Sequence, residues 1–313
     1  MGAPHPRGST ERIAVSDVPE PICDSHAHLN FPEFEGRLLD VLRRAAEAQV
    51  QTIINIGTHP ETNPVTVEQT LALPAQFEQA FGGDGSHDAA APAELECPRL
   101  YASLGFHPHE AQHIRPEHWG VIEGQAAEPQ VIALGEFGLD YHYEHSPRDA
   151  QKRVLRRGIE LALKVGLPMV IHSREARLEV VEALDEVAGG AGATMPRGVF
   201  HCFTDPWPVA EAALERGFYV GFTGIATYPN AADVREVARR VPLERIVVET
   251  DAPFCTPEPV RSERRKRRRK GKDEPNEPAL VGLVCDLLAR LHGVEVSEVR
   301  RRTLANTRDL FDL

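Results

Sequence analysis

Several features of membrane and secreted proteins are missing from this sequence of 313 residues. No apolar run approaches the ~18 residues that a membrane-spanning helix requires, and the first residues lack the charged and apolar segments of a secretion signal. The five cysteines are scattered, odd in number and never spaced as CxxC, which argues against a disulfide framework and a zinc ribbon. We therefore expect a cytoplasmic protein with no membrane association and no obligate protein partner.

Sequence signatures of several common catalytic sites are also missing. There is no GxSxG nucleophile elbow, no GxxxxGK[ST] phosphate loop and no GxGxxG turn. One HExxH match, at 109–113, would suit a metalloprotease on a helix. Pro108 and Pro116 flank it and no apolar stripe supports a helix, so we interpret this match as accidental.

The net charge of −12 conceals a strongly basic segment. Residues 261–272 contain nine Lys or Arg and one Glu, so the rest of the chain is still more acidic than the total. One interpretation is a solvated, flexible loop, because like charges repel. The other is an arm that attracts a partner carrying phosphates.

Short apolar runs alternate with segments of helical periodicity along most of the chain, which is typical of parallel β/α units. Eight candidate strands lie near residues 21–27, 51–57, 100–106, 130–136, 168–172, 198–201, 218–224 and 245–250. The pattern predicts an α/β fold, a single-domain (β/α)8 TIM barrel with its active site at the C-terminal ends of the strands. A doubly wound sheet would show similar local patterns.

The predicted barrel occupies residues 21–313 and follows a flexible N-terminal tail at 1–20. Insertions are expected at about 82–98, which is rich in Gly, Ala and Asp, and at about 258–275, which contains the basic run. Gly166 is expected to end a helix, and Asn276 to cap a helix that includes Pro278.

Histidines and carboxylates collect at the ends of the predicted strands. Asp24, His26 and His28 alternate along the first strand, so their side chains share one face. The further strand-end residues are His107, His109, Glu136, His172, His201 and Asp251. Because these ends meet at one face of a barrel, the side chains should converge on divalent metal. Their number exceeds the needs of one tetrahedral ion, which favours two metals sharing a carboxylate.

Two cysteines stand next to these residues. Cys23 precedes Asp24, and Cys202 follows His201. Since neighbours along a strand point to opposite faces, we expect both thiols to pack behind the site.

Separate motifs extend this pattern over most of the chain: DSHAHL (24–29), GFHPH (105–109), GEFGLDYH (135–142), IHSR (171–174), HCFT (201–204), GFYVGFTG (217–224), VETDAPF (248–254), NEP (276–278) and NTRDLF (306–311). In these motifs and their order the sequence resembles the TatD family of metal-dependent deoxyribonucleases, within the amidohydrolase-like barrel hydrolases. It departs from that family's short RxKxNEP-like link, because NEP here follows a long polybasic stretch.

The resemblance implies six metal ligands: His26, His28, Glu136, His172, His201 and Asp251. Glu136 would bridge two divalent ions (Mg, Mn or Zn) per subunit. The first histidine pair, His26 and His28, would hold one ion with Asp251, and the second pair, His172 and His201, would hold the other. It further implies that His107 and Arg174 face the substrate. Asp24 is expected to orient the site from just outside the ligands.

The expected reaction is hydrolysis of DNA phosphodiester bonds, in the 3′-5′ direction, by a water that two metals activate. Glu136 or Asp251 would take the proton of that water. One alternative is an amidohydrolase-like ester or amide hydrolase, although many such barrels carry a carboxylated lysine where this chain has Glu136. The other is a nucleic-acid-binding protein without catalysis, which would bind through the basic run.

Overall fold

The computed structural model describes residues 19–82, 95–192, 194–267 and 274–313. Within them, eight strands form one sheet in which each strand pairs in parallel with the next along the chain. The strands are β1 (Ile22–Ala27), β2 (Val50–Gly57), β3 (Arg99–Leu104), β4 (Val131–Asp140), β5 (Met169–Arg174), β6 (Gly198–Phe200), β7 (Tyr219–Phe222) and β8 (Ile246–Val248).

Helices follow the strands and lie outside the sheet. They are α1 (Leu38–Glu47), α2 (Thr62–Phe81), α3 (Pro116–Gln125), α4 (Arg148–Val165), α5 (Glu179–Ala191), α6 (Trp207–Glu215), α7 (Ala232–Arg240), α8 (Val260–Arg267), α9 (Gly282–His292) and α10 (Val296–Phe311). Helix α1, for example, buries an apolar face that includes Val41 and Leu42. Helix α8 differs, because none of its residues is buried.

The sheet closes where β8 meets β1. The amide of Asp251 donates to the carbonyl of His26 at 2.9 Å, and the amide of His28 donates to the carbonyl of Ala252 at 2.7 Å. Ala27 and Ala252 form a parallel bridge between these bonds. The strands are buried on both faces, as in a barrel ringed by helices, and the predicted (β/α)8 fold is confirmed.

All eight predicted strands are present, but β4 continues four residues past the expected end at Glu136, to Asp140. A Cβ atom at Gly138 would lie 1.8 Å from the carbonyl oxygen of His172. Because glycine has no Cβ, β4 and β5 can stay hydrogen-bonded at this point.

One predicted helix boundary is confirmed and another is wrong. Gly166 ends α4 in the left-handed conformation, with a φ of +76°. Asn276 caps no helix, because the turn that follows it, Pro278–Leu280, is a short 3-10 helix that starts after Glu277. The Asn276 amide instead donates to the carbonyl of Thr250 at 2.9 Å, beside β8.

Most of the predicted tail and insertions lies outside the described residues, namely 1–18, 83–94 and 268–273. The loop interpretation of the basic run is wrong for its first part, which forms α8. In the described part of the chain, no helix is both long and apolar enough to cross a membrane.

Candidate metal centre

The six predicted ligands come together at the C-terminal ends of the strands. His26 lies in β1, with His28 just after it, while Glu136 lies in β4 and His172 in β5. His201 and Asp251 follow β6 and β8. Four of these side chains are almost wholly buried: those of His26, His28, Glu136 and His201.

Glu136 occupies the middle of this group. Its Oε1 atom lies 2.6 Å from Nε2 of His201 and 2.7 Å from Nδ1 of His172. Its Oε2 atom lies 3.5 Å from Nε2 of His26 and 4.0 Å from Nε2 of His28. The two oxygens of one buried carboxylate therefore face two different pairs of imidazoles.

Asp251 faces only the first pair. Its Oδ1 atom lies 3.4 Å from Nε2 of His28 and 3.6 Å from Nε2 of His26, and these two nitrogens are 3.2 Å apart. Burial opposes ionisation, yet the neighbouring histidines, His28 and His26 among them, lower the pKa of Asp251 to about 2. This side chain is a carboxylate at neutral pH.

The first pair of histidines fits a cation chemically. Burial lowers the pKa of His26 to about 3, so its imidazole is neutral near pH 7. Nδ1 of His28 lies 3.2 Å from the carbonyl oxygen of Ile56, which can only accept, so we assign the proton of His28 to Nδ1. The lone pair on Nε2 of His28 then faces the carboxylates of Glu136 and Asp251. These three groups can only accept, so a cation bound between them would stabilise the arrangement.

The second pair also fits a cation. Burial would lower the pKa of His172, but hydrogen bonds with Asp140 and Glu136 raise it to about 9. His172 thus holds a proton between two carboxylates, and metal binding at Nδ1 would displace it. The side chain keeps its orientation because Nε2 lies 3.2 Å from Oδ2 of Asp140.

The other predicted site residues surround the centre at different distances. Nε2 of His107 lies 3.5 Å from Oε1 of Glu136, and its side chain lines the central cavity, the space above the predicted ligands. Arg174 lies farther out, with its guanidinium carbon 4.8 Å from the ring centroid of Tyr143. Asp24 is buried behind the ligands and accepts hydrogen bonds from the amide and hydroxyl of Thr250, at 2.9 and 2.6 Å.

A family model described as TatD related DNase matches residues 23–312 of the sequence. The chain belongs to this family. The match extends from β1 to the end of α10, so it includes every strand of the barrel and every predicted ligand.

Relatives with known names support the same assignment. The uncharacterized metal-dependent hydrolase YabD of Bacillus subtilis is 34% identical over 288 residues, which are 92% of this chain and 98% of the relative. The 3′-5′ ssDNA/RNA exonuclease TatD of Salmonella typhimurium is 29% identical over 93% of this chain and 98% of its own length.

A crystal structure of YJJV, a TatD homolog from Escherichia coli, superposes with a TM-score of 0.74 at 26% identity. The alignment covers 93% of this chain and 98% of that one. The chain is therefore a TatD-family member in a family of metal-dependent hydrolases, and its His and Glu clusters are able to bind metal.

Two carboxylates of this TatD-family site were missed as site residues from the sequence. Asp140 accepts hydrogen bonds from His172 and His109 at 3.2 and 3.1 Å. Glu249 lies 3.7 Å from Nδ1 of His201, and burial raises its pKa to about 7. Period-2 spacing could have found Asp140, because it lies in β4 four residues after Glu136 and so shares its strand face. Glu249 follows the end of β8 at Val248, so alternation gives no such signal for it.

The prediction for the cysteines is half correct. Cys23 is buried away from the centre, as expected. Cys202 lines the central cavity together with Cys255, because the chain turns after β6 and Cys202 has a φ of +43°. The strand alternation on which the prediction depended ends at Phe200.

The accidental nature of the HExxH match agrees with the local structure. Pro108–His113 is a 3-10 helix, which has about three residues per turn, so residues four apart do not share a face. His109 instead contacts Asp140.

The central cavity, about 870 Å³ in volume, opens above the predicted ligands of the TatD-family barrel. Exposed aromatic side chains stand at its mouth, where Phe254 and Tyr143 are 50% and 52% exposed. Arg174 lines the same cavity. The site is therefore open to a ligand much larger than a water molecule.

Proposed function

We propose that this protein is a metal-dependent nuclease that hydrolyses phosphodiester bonds of single-stranded DNA from the 3′ end. The observation that carries the proposal is the Glu136 carboxylate, whose two oxygens face two separate histidine pairs. A bridging carboxylate between two cations about 4 Å apart is the usual arrangement of phosphodiester hydrolysis by two metals.

Two divalent cations account for all six predicted ligands. His26, His28 and Asp251 would hold one, and His172 and His201 the other, with Glu136 between them. Bound there, they would supply a water that is nucleophilic at neutral pH and would neutralise charge on the phosphate. The neutral imidazoles and carboxylates suit Zn or Mn, and the carboxylates also admit Mg.

Asp251 is better placed than Glu136 to take the proton of the attacking water. The Glu136 carboxylate is buried, and its Oε1 atom lies within 2.7 Å of two imidazole nitrogens, so this oxygen is already engaged. The Asp251 side chain is 13% exposed and lines the cavity. Because its pKa is about 2, the acceptor form is fully present at neutral pH.

Groups above the metal ligands suit a nucleotide. The imidazole of His107 is kept neutral by burial, which lowers its pKa well below the usual value, so it can donate one hydrogen bond to a phosphate oxygen. Arg174 can form charged hydrogen bonds with phosphate. Phe254 and Tyr143 are exposed rings on which bases can stack, and base stacking on aromatics tolerates any sequence.

The basic helix α8 extends this surface. A second cavity of about 380 Å³ is lined by Arg261, Arg264 and Arg265 of α8 together with Phe254 and Tyr228. Phe254 and Tyr228 also line the central cavity, so the two spaces adjoin. A strand with its 3′ end at the metals would run toward α8, where positive charge attracts its phosphates.

The alternative is hydrolysis of a carboxylic ester or amide by the same fold. Glu136 stands in the fourth strand, and no lysine is found among the described residues that line the central cavity. The aromatic and arginine side chains at the mouth also favour a nucleic acid over a small ester.

The test is a substrate panel with metal-depleted, full-length protein. End-labelled single-stranded DNA, RNA and p-nitrophenyl carboxylic esters are assayed with Mg, Mn or Zn, and again with chelator. We expect chelator-reversible shortening of DNA from the 3′ end. Turnover of the carboxylic esters alone would overturn the nuclease proposal, and cleavage that chelator does not affect would overturn the role of the metals.

A further inference from the structure

Two cysteines converge on the far side of Asp251 from the histidines. Cys202 follows His201 after β6, and Cys255 lies four residues after Asp251. Their sulfur atoms are 4.0 Å apart, and Sγ of Cys255 lies 3.3 Å from Oδ2 of Asp251. The two sulfurs and one carboxylate oxygen all lie within 4.8 Å of one another, which is close enough for them to bind the same cation.

We infer that Cys202, Cys255 and Asp251 form a distinct binding site for one thiophilic divalent cation, such as Zn²⁺ or Cd²⁺. Thiolate ligands select soft and borderline metals over Mg²⁺, which requires oxygen ligands. The site goes beyond the hydrolytic centre, whose proposed ligands are imidazoles and carboxylates.

The spacing of the ligand atoms matches a metal better than a disulfide. Tetrahedral zinc with Zn–S distances of about 2.3 Å and a Zn–O distance of about 2.0 Å keeps its ligand atoms roughly 3.5 to 3.8 Å apart. The observed 4.0 Å between sulfurs and 3.3 Å between sulfur and oxygen differ from this range by only tenths of an ångström. A disulfide bond needs about 2.05 Å, so the sulfurs would have to move much farther to form one.

The surroundings allow a cation to enter and remain. Both cysteines are partly exposed and line the central cavity, so a water can complete the coordination. Cys202 and Cys255 both have left-handed backbones, with φ of +43° and +54°, which are unfavourable for residues other than glycine. Such strained positions cluster at functional sites.

Binding changes the protonation of the sulfurs. The hydrogen bond with Cys202 and burial raise the pKa of the Cys255 thiol well above its usual value. The contact with Cys255 lowers the pKa of the Cys202 thiol, but burial and nearby carboxylates raise it above its usual value. Both groups are therefore thiols in the metal-free protein. Each releases one proton to solvent when its sulfur binds the cation.

Asp251 links the site to the hydrolytic centre. Its Oδ1 atom faces His26 and His28, while its Oδ2 atom faces Cys255. A cation bound to the two sulfurs would also bind the carboxylate of Asp251, which we propose as the proton acceptor. We expect thiophilic cations to inhibit activity that Mg²⁺ supports.

The test is a Cd²⁺ titration of the reduced full-length protein in the presence of excess Mg²⁺. Cadmium bound to thiolate absorbs in the ultraviolet through charge transfer from sulfur, and imidazole or carboxylate ligands do not produce this band. We expect the band to saturate at one Cd²⁺ per chain, with two thiols protected from a thiol reagent. Cys202→Ser and Cys255→Ser should each weaken this binding at least about tenfold.

The matched control is Cys97→Ser. Cys97 is also partly exposed, but it precedes β3 at the opposite end of the barrel, so the band should be unchanged. An unchanged band in both Cys202→Ser and Cys255→Ser would overturn the inference, as would the formation of a disulfide with no cadmium signal. Because the band needs no turnover, an inactive protein that still shows it would refute only the nuclease proposal.

Discussion

At the scale of single residues, the candidate centre depends most on Glu136. It is buried at the middle of the barrel mouth, and five imidazoles lie within 4.0 Å of its two oxygens: the two histidine pairs and His107. Its pKa is held well below the usual value, chiefly by His201 and His107 against the opposing effect of burial.

Glu136→Gln keeps the size of the side chain and removes its charge. We expect kcat/KM on single-stranded DNA to fall by about 10² to 10⁴ fold, the range typical for loss of a group that acts on the reacting centre. His113→Asn is the control, because this histidine lies in a 3-10 helix outside the ligand set. Full metal-dependent activity in Glu136→Gln would rule out the bridging role.

Asp24 acts through its neighbours. Its carboxylate accepts from the amide and hydroxyl of Thr250, next to Asp251, and from the amide of His26 at 3.3 Å. We therefore expect it to orient one predicted ligand on each of two adjoining strands.

Asp24→Asn should raise the metal concentration needed for half-maximal activity by about 10 to 100 fold, since residues that orient ligands have effects of this size. Saturating metal should restore most of the activity. Asp185→Asn, in a surface ion pair with Arg216, provides the control. A loss of kcat that excess metal does not correct, at unchanged metal affinity, would contradict a positioning role.

At the scale of elements, close contact between β4 and β5 determines where the ligands of the second pair lie. Glu136 and His172 come from these two strands, which pair up to Asp140 and Arg174. Gly138 allows this pairing, because any Cβ there would collide with the backbone of His172.

Gly138→Ala should destabilise the protein by about 1 to 3 kcal/mol, the usual cost of overpacking, and should also lower activity by moving His172. Urea denaturation measures the first effect. Gly189→Ala is the control, since a Cβ on this helical residue of α5 meets nothing within 4 Å and alanine favours helices. Equal stability of the two variants would contradict the argument.

The helix α8 raises a separate expectation. Arg265, Lys266 and Arg267 are exposed on it. Replacing all three with Gln should raise KM for single-stranded DNA at low salt and flatten its salt dependence, with little change in kcat.

The control for α8 removes three exposed arginines from α4, namely Arg153, Arg156 and Arg157, which line neither cavity. It changes the net charge equally. If both triple variants raised KM alike, general electrostatic attraction would explain the effect, and α8 would have no specific role.

At the scale of the whole molecule, the pairing of β8 with β1 closes the barrel and fixes the positions of the candidate metal ligands. The bonds between β8 and β1 bring Asp251 beside His26, although 225 positions separate them in the sequence. Burying these acceptors together is unfavourable without a cation, because each loses its hydration.

Metal should therefore stabilise the folded protein. At one hundred times the dissociation constant, one bound cation contributes about 2.7 kcal/mol. We expect chelated protein to keep its circular dichroism spectrum and to gain several degrees in Tm on adding Mn²⁺ or Zn²⁺. The increase in Tm should be smaller for Asp251→Asn. An equal increase in this variant would contradict metal binding at this centre.

The strand pattern predicted parallel β/α units, because parallel strands buried on both faces need apolar runs that are separated by amphipathic helices. The polar residues at the strand ends then favoured a barrel over a doubly wound sheet, and the resemblance of the motifs to the TatD family implied the six ligands. The sequence by itself could not show that Asp140 holds His172 or that Glu249 lies by His201, because both depend on neighbouring strands.

Tertiary structure alone brought Cys202 and Cys255 together beside Asp251. They are separated by 53 positions, and each lies on a left-handed turn past the end of its strand, where alternation no longer predicts direction. The sequence therefore determined the fold and the chemical types at its open end. The closing of the barrel and the turns after its strands decided which atoms face one another, because those distances depend on backbone geometry that no local pattern encodes.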